Sequence, residues 1–169
     1  GVADEGGYWP MFDRNEDVFD ALIAAIELAG YTPGREVGLS LDIAATDFGR
    51  GGRYTLARDG RSVDSDALSD MLLGWLRRYP IVAIEDPLAE DDAQALQRFT
   101  SAAGAKVQVI ADDFICTNAR RIRDAAALGE QRPVVERVSA GGGGRVRIVE
   151  QSQGARAAFL NHDSQAVFR

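Results

Sequence analysis

Residues 81–87, with the sequence IVAIEDP, constrain the fold more than any other stretch of this 169-residue chain. A short run of apolar, β-branched residues that ends at a turn signal is typical of a strand buried on both faces. Glu85 and Asp86 follow at its carboxyl end, which is the edge where parallel β/α sheets carry their chemistry. We therefore predict a buried parallel strand that delivers carboxylates to this edge.

Two further segments repeat this pattern. Residues 37–42 (VGLSLD) end in Asp42, and residues 107–113 (VQVIADD) end in Asp112 and Asp113. Carboxylates that converge on one edge of a sheet repel each other unless a cation lies among them. The three strand ends together predict a divalent-metal site in a parallel β/α architecture.

Helical periodicity and turn signals predict helices between these strands, which is the alternation of a parallel α/β protein. The predicted helices cover residues 13–30, 65–80, 91–103 and 118–128. Asp13 or Asn15 is expected to cap the first of them, and Ser65 the second. Two more strands are predicted at residues 133–138 and 157–160.

The segments between these elements carry weaker signals. Residues 43–60 form a long insertion, either a mobile lid or a plain surface loop, in which residues 54–56 suit a short hairpin arm. The glycine run at residues 140–144 has neither the spacing nor the lysine of a nucleotide-binding loop, so we interpret it as a flexible turn. Trp9 and Trp75 are assigned to packing.

Composition narrows the choice of partner and compartment. The net charge is −7, with 26 acidic and 19 basic residues, which disfavours nucleic acid and anionic membranes as main partners. A small anionic substrate is compatible with this charge where a metal reverses its local sign. The single Cys116, interpreted as a small apolar filler, rules out an internal disulfide and fits a reducing compartment. We expect a cytoplasmic protein without a membrane span.

The length and the ends of the chain bear on its domain organisation. The sequence does not begin with Met, and its 169 residues are fewer than the roughly 250 of a full (β/α)8 barrel. We therefore expect residues 1–169 to form a single incomplete domain cut from a longer protein.

Four motifs together resemble a known family. In chain order they are DEGGYWP at residues 4–10, LDIAATDF at 41–48, RRYPIVAIEDPLAEDD at 77–92 and VIADDFICTN at 109–118. Their order and near-spacing resemble segments of the enolases, the phosphopyruvate hydratases, over roughly residues 4–122. The resemblance implies an α/β fold that is part of the family's C-terminal TIM-like (β/α) barrel. The amino-terminal domain and the last barrel strands would be absent.

The resemblance also implies roles for individual residues. Three positions match the family's Mg²⁺ ligands, namely Asp42, Glu85 and Asp112. Glu5 matches the acid that protonates the departing hydroxyl group. His162 and Ser164 resemble residues that hold the phosphate and carboxylate of the substrate. Asp86 and Asp113 are interpreted as groups that fix loops around the metal.

The implied activity is that of a Mg²⁺-dependent lyase that dehydrates 2-phosphoglycerate to phosphoenolpyruvate. The proton alpha to a carboxylate is very weakly acidic, and its removal creates a doubly charged product that Mg²⁺ ions stabilise. A Lys or His base with one or two Mg²⁺ ions is the general pattern of this superfamily. We expect a small phosphorylated carboxylic acid as substrate and a homodimer for the full-length protein.

The distal part of the chain departs from the family pattern. In residues 134–142 (VVERVSAGG), Arg137 stands at the position of the family's catalytic Lys, although Arg holds its proton too tightly to act as a base. Ser139 and Ala140 replace an Asn and a Gln, and Asp163 replaces a phosphate-binding Arg. The metal half of the pattern is therefore intact, and the base and anion-binding half is altered.

Three explanations fit this departure. The chain is an ordinary enolase whose distal part is aberrant or misaligned, or it is a relative that handles another phosphorylated acid. Carboxyphosphonoenolpyruvate synthase, an enolase-like enzyme of phosphonate antibiotic biosynthesis, is such a relative. The third explanation is a non-catalytic remnant that serves as a binding or structural module.

Overall fold

The computed structural model describes residues 10–104, 107–116 and 118–121, together with the backbone of residues 156–160. The helices in this part of the chain are α1 (Asn15–Leu28), α2 (Ser65–Arg78), α3 (Ala93–Ala103) and the short α4 (Asp112–Ile115). The strands are β1 (Val37–Asp42), β2 (Gly49–Arg50), β3 (Arg53–Leu56), β4 (Arg61–Asp64), β5 (Ile81–Glu85), β6 (Gln108–Ile110) and β7 (Arg156–Leu160).

A parallel sheet organises these elements in the order β6–β5–β1–β7. Strands β1, β5 and β6 occur where the apolar runs predicted them, and helices separate them in sequence. The parallel α/β class is therefore confirmed. Within the described residues the four strands form an open sheet and do not close into a barrel, so the fold agrees with part of a TIM barrel.

Strands β1 and β5 are largely buried along their length. Four consecutive residues of β1 are buried, and β5 follows a similar pattern. Helices α2 and α3 contribute large, fully buried side chains to the same core, in particular Leu68, Leu72 and Phe99. Continuous burial of this kind is what distinguishes a parallel strand from the alternating pattern of a half-exposed one.

The insertion after β1 is an antiparallel sheet in the order β2–β3–β4, preceded by a 3-10 turn at Ala45–Asp47. Tyr54 in β3 pairs with Gly49 in β2 and with Val63 in β4. A Cβ atom at Gly49 would overlap the Tyr54 ring, so the close approach of the ring requires glycine there. The predicted hairpin arm at residues 54–56 is thus confirmed as β3.

Three local predictions were wrong. Arg14, rather than Asp13 or Asn15, occupies the N-cap of α1, where its backbone N–H donates to Asp17. Asp64 caps α2 by accepting the Ala67 N–H at 2.9 Å, and Ser65 is already helical. Cys116 does not fill the core, because it follows α4 in a left-handed conformation and is exposed.

Several predicted elements lie partly or wholly outside the described residues. This applies to Trp9, the strand at 133–138, the glycine run at 140–144 and most of the helix at 118–128, of which residues 119–121 are helical. The last predicted strand, at 157–160, corresponds to β7 and lies beside β1. No helix among the described residues is long and apolar enough to cross a membrane.

Candidate metal centre

Asp42 and Glu85 meet because β1 and β5 are parallel neighbours in register. The ladder pairs Leu41 with Ile84 and Asp42 with Glu85, so both strands end in an acid at the same level. The backbone N–H of Ile43 donates to the Glu85 carbonyl at 2.9 Å and extends the pairing by one residue. Two apolar strands thus place two carboxylates side by side at the carboxyl edge of the sheet.

Asp86 is held at this edge by three further hydrogen bonds. Its N–H donates to the Ile110 carbonyl at 2.9 Å, and its own carbonyl accepts the Ala45 N–H at 3.1 Å. Its side-chain Oδ2 accepts the Asp113 N–H at 3.1 Å. The residue is 5% exposed and has a left-handed φ of 41°. This turn directs the chain away from β5, while the Asp86 carboxylate stays among the strand ends.

The three side chains form what we call the carboxylate cluster, comprising Asp42, Glu85 and Asp86. One oxygen of each lies within 4.8 Å of one oxygen of the others. Asp42 is further oriented by accepting the Ala44 N–H at 3.2 Å. Carboxylate oxygens at this separation are a donor set that suits a hard divalent cation such as Mg²⁺.

The electrostatics of the cluster show why a cation would be favoured there. Burial, together with the nearby Asp113, Glu85 and Asp42 carboxylates, raises the pKa of Asp86 to about 8, although the hydrogen bond from the Asp113 N–H opposes the rise. Like charges held this closely disfavour simultaneous ionisation. A bound cation removes that penalty, so the residues present fit a divalent metal.

The predicted site residues divide into three groups. Asp42 and Glu85 lie together in the cluster, as the strand ends predicted. Asp112 begins α4 after the neighbouring strand β6 and lies outside the group of three, although its neighbour Asp113 contacts Asp86. The remaining predictions concern residues outside the described part of the chain, namely Glu5, Arg137, His162 and Ser164.

Asp86 is the cluster member that the sequence did not single out as part of the metal-binding set. It was interpreted as a loop-fixing group, and its hydrogen bond with the Asp113 N–H agrees with that interpretation. Its membership of the cluster depends on the turn at φ 41°, for which the Glu85-Asp86-Pro87 sequence is the only signal. Asp tolerates left-handed backbone better than most residues do.

A buried tyrosine joins the two loops that carry the cluster. The Tyr54 hydroxyl accepts the Ala89 N–H at 3.1 Å and donates to Asp92 Oδ2 at 3.0 Å. Ser65 donates to the same Asp92 oxygen. Burial and the neighbouring Asp92 charge raise the pKa of Tyr54 to about 12, although the Ala89 N–H bond opposes this. The sequence analysis missed this contact, because its partners are separated by 35 and 38 residues.

Parallel strands that end in partly buried carboxylates define the class of the chain, a β/α domain suited to a divalent cation at its carboxyl edge. Residues 1–143 match the family described as "Enolase, C-terminal TIM barrel domain". Because the match covers most of the chain, the protein belongs to this family. Membership supports a lyase-type function of the enolase superfamily.

Proposed function

We propose that this protein belongs to a Mg²⁺-dependent hydro-lyase, an enzyme that dehydrates 2-phosphoglycerate to phosphoenolpyruvate. The observation that carries the proposal is the convergence of Asp42 and Glu85 at the carboxyl edge of a parallel sheet, in a chain of the enolase family. The carboxylates are buried deeply enough to interact strongly, yet Asp42 and Glu85 remain partly exposed to an incoming ion.

Asp42, Glu85 and Asp112 are the proposed Mg²⁺ ligands, and Asp86 is assigned to holding the adjacent loop. The assignment of Asp86 follows from its burial and from the Asp113 N–H that already occupies its Oδ2. When bound, Mg²⁺ would supply positive charge beside the substrate carboxylate. This local charge would also admit an anionic substrate to a chain of net charge −7.

The remaining assignments are made from the sequence. Glu5 would protonate the departing hydroxyl group, and His162 and Ser164 would bind the phosphate and carboxylate of the substrate. Arg137 stands at the position of the base, and its guanidinium remains protonated at neutral pH. Arg137 therefore would hold the substrate by charge rather than accept the alpha proton, and the simple dehydratase should be slow.

That substitution is the observation that favours a second candidate, an enzyme resembling carboxyphosphonoenolpyruvate synthase. The replacement of a phosphate-binding Arg by Asp163 also indicates a different anion. A product assay separates the two candidates. The protein is supplied with Mg²⁺ and 2-phosphoglycerate, alone or with phosphonoformate. Phosphoenolpyruvate from the single substrate supports the first candidate, and turnover that requires both substrates supports the second.

Calorimetric titration of Mg²⁺ into the 169-residue chain tests the metal site itself. Glu85→Gln should abolish the heat of binding, because it removes one charged ligand and keeps the side-chain shape. Glu27→Gln is the matched control, since Glu27 is exposed in α1, whose end leads to the opposite edge of the sheet. Equal heats for the unmodified protein and Glu85→Gln would eliminate the metal hypothesis and leave a non-catalytic module.

A second pair of variants identifies the third ligand. Asp112→Asn should weaken Mg²⁺ binding at least tenfold if Asp112 coordinates the ion, and Asp86→Asn should weaken it less, because Asn still accepts the Asp113 N–H. The reverse order would assign the third ligand to Asp86, in agreement with the carboxylate cluster as the structure has it.

A further inference from the structure

The Tyr54 hydroxyl lies between the two chain segments that follow the carboxylates. On one side, Tyr54 belongs to the insertion that follows Asp42 in the sequence. On the other side, its hydrogen-bond partners Ala89 and Asp92 belong to the loop that leaves Asp86. Tyr54 has no exposed surface, and residues 86–89 are all buried. Residues 86–89 form a short, buried segment, so we expect a shift at Ala89 to be transmitted to Asp86.

Other contacts also join the two segments. In the interior, the Ala45 N–H donates to the Asp86 carbonyl at 3.1 Å, and two further hydrogen bonds lie at the surface. The Glu90 N–H donates to Thr46 Oγ1 at 3.1 Å, and the Gly51 N–H donates to Asp91 Oδ2 at 3.0 Å, both in exposed positions. Exposed hydrogen bonds exchange readily with water and contribute little net stability. The Tyr54 hydroxyl acts in the interior, where an unmade hydrogen bond is costly.

Mutual repulsion within the carboxylate cluster favours separation of the loops that carry its members. The hydrogen bonds of Asp86 with Ile110, Ala45 and Asp113 oppose this at Asp86 itself, whereas Tyr54 acts on the loop beyond it. Tyr54 bonds two groups of the second loop at once, and Ser65 at the start of α2 holds the shared Asp92 oxygen.

We propose that Tyr54, acting through Ala89 and Asp92, is a positioning residue that holds the loop carrying Asp86 in place beside the metal-binding carboxylates Asp42 and Glu85. The inference rests on the proposed metal site and deepens it. Tyr54 does not contact the ion. Its hydroxyl group fixes the loop after β5 against the insertion after β1. Ser65 keeps the Asp92 carboxylate oriented to accept the hydrogen bond from the Tyr54 hydroxyl.

Tyr54→Phe tests this role, because it keeps the ring against Gly49 and removes only the hydroxyl group. We expect the dissociation constant for Mg²⁺, measured by calorimetry on the 169-residue chain, to rise about tenfold. Tyr79→Phe is the matched control. Tyr79 is also buried, and its hydroxyl has no hydrogen-bond partner among the described residues, so the same chemical change should leave Mg²⁺ affinity within twofold.

Thermal unfolding of each variant without Mg²⁺ shows that the titrations are made on folded protein. If Tyr54→Phe is too unstable, Ser65→Ala provides the second test, with an expected rise of about threefold and rescue by Ser65→Thr. A double variant with Asp92→Asn adds a further readout. Tyr54→Phe and Asp92→Asn should weaken binding by less than the product of their separate effects, since they interrupt one connection.

The outcomes separate this role from the metal site. If Tyr54→Phe and Ser65→Ala both bind Mg²⁺ as tightly as the unmodified protein, the positioning role is overturned. The proposed metal site is unaffected by that result. An equal loss of affinity in Tyr79→Phe would also overturn it, because the effect would then follow from stability alone. A complete absence of Mg²⁺ binding by the unmodified protein would refute the metal site and the positioning role with it.

Discussion

The carboxylate cluster and the packing between α1 and α2 are two buried regions built on opposite principles. In the first, three acids converge and repel each other. In the second, Phe19, Trp75 and Tyr79 form an aromatic cluster, with Phe19 centred 5.2 Å from the Trp75 ring and 4.7 Å from the Tyr79 ring. Trp75 is 5% exposed, which confirms its assignment to packing, and it donates to Glu16 at 3.1 Å. The aromatic cluster stabilises the fold, whereas the carboxylate cluster costs stability until a ligand compensates its charge.

The largest effect should come from the aromatic cluster. Phe19→Ala removes a side chain that is 3% exposed and leaves a cavity between two rings. We expect the free energy of unfolding in urea to fall by about 3–5 kcal/mol. Leu28→Ala, an exposed change on the same helix, is the control and should cost less than about 0.5 kcal/mol. A cost below about 1 kcal/mol for Phe19→Ala would show that α1 does not depend on this contact.

The carboxylate cluster should respond in the opposite direction. Asp86→Asn removes a carboxyl whose pKa is raised to about 8 and which must therefore take up a proton when the chain folds at neutral pH. Asn tolerates the left-handed turn and still accepts the Asp113 N–H. With a chelator present at neutral pH, we expect the variant to be more stable than the unmodified protein by at least about 1.4 kcal/mol, the equivalent of one pKa unit. Urea unfolding measures this difference, and Glu27→Gln controls for a general charge effect. A destabilised Asp86→Asn would show that its hydrogen bonds outweigh the repulsion.

These two regions also show how much of the structure could be predicted from the sequence. The bounds of β1 were predicted to the residue, because a continuous apolar run ending in Asp42 has one reasonable structure. The meeting of Asp42 and Glu85 followed from parallel strands of matched polarity. Asp86 was harder, because its place depends on the sign of a single φ angle. The sequence does not encode that sign directly.

Contacts between distant segments were beyond local patterns altogether. Ser65 has the residue type of a helix cap, yet Asp64 takes that place and frees the Ser65 hydroxyl for Asp92. Both are good capping residues, so only tertiary structure decides between them. In the same way, the position of β7 beside β1 rather than beside β6 follows from sheet pairing and not from its sequence.

The buried Tyr54 leads to a prediction that depends on pH. The pKa of Tyr54 is raised to about 12, above the ordinary value of 10.0, so the folded state favours the neutral phenol. Its contribution to stability is complete below pH 10 and is lost as the pH rises to 12. Between pH 10 and pH 11, we expect the stability difference between the unmodified protein and Tyr54→Phe to shrink by about 1 kcal/mol. Urea unfolding at both pH values measures it, and a constant difference would contradict a neutral, buried Tyr54.

The smallest effect should come from removing the Tyr79 hydroxyl at neutral pH. This group is buried without a hydrogen-bond partner among the described residues. It therefore loses its hydrogen bonds to water on folding without replacing them. Tyr79→Phe keeps the ring contact with Phe19 and should change the free energy of unfolding by less than about 0.5 kcal/mol, or raise it slightly. Tyr54→Phe leaves the Ala89 N–H unsatisfied and should cost about 1–3 kcal/mol. Equal costs in urea unfolding would mean that the Tyr79 hydroxyl is bonded in solution, and the contrast between the two regions would then rest on the carboxylates alone.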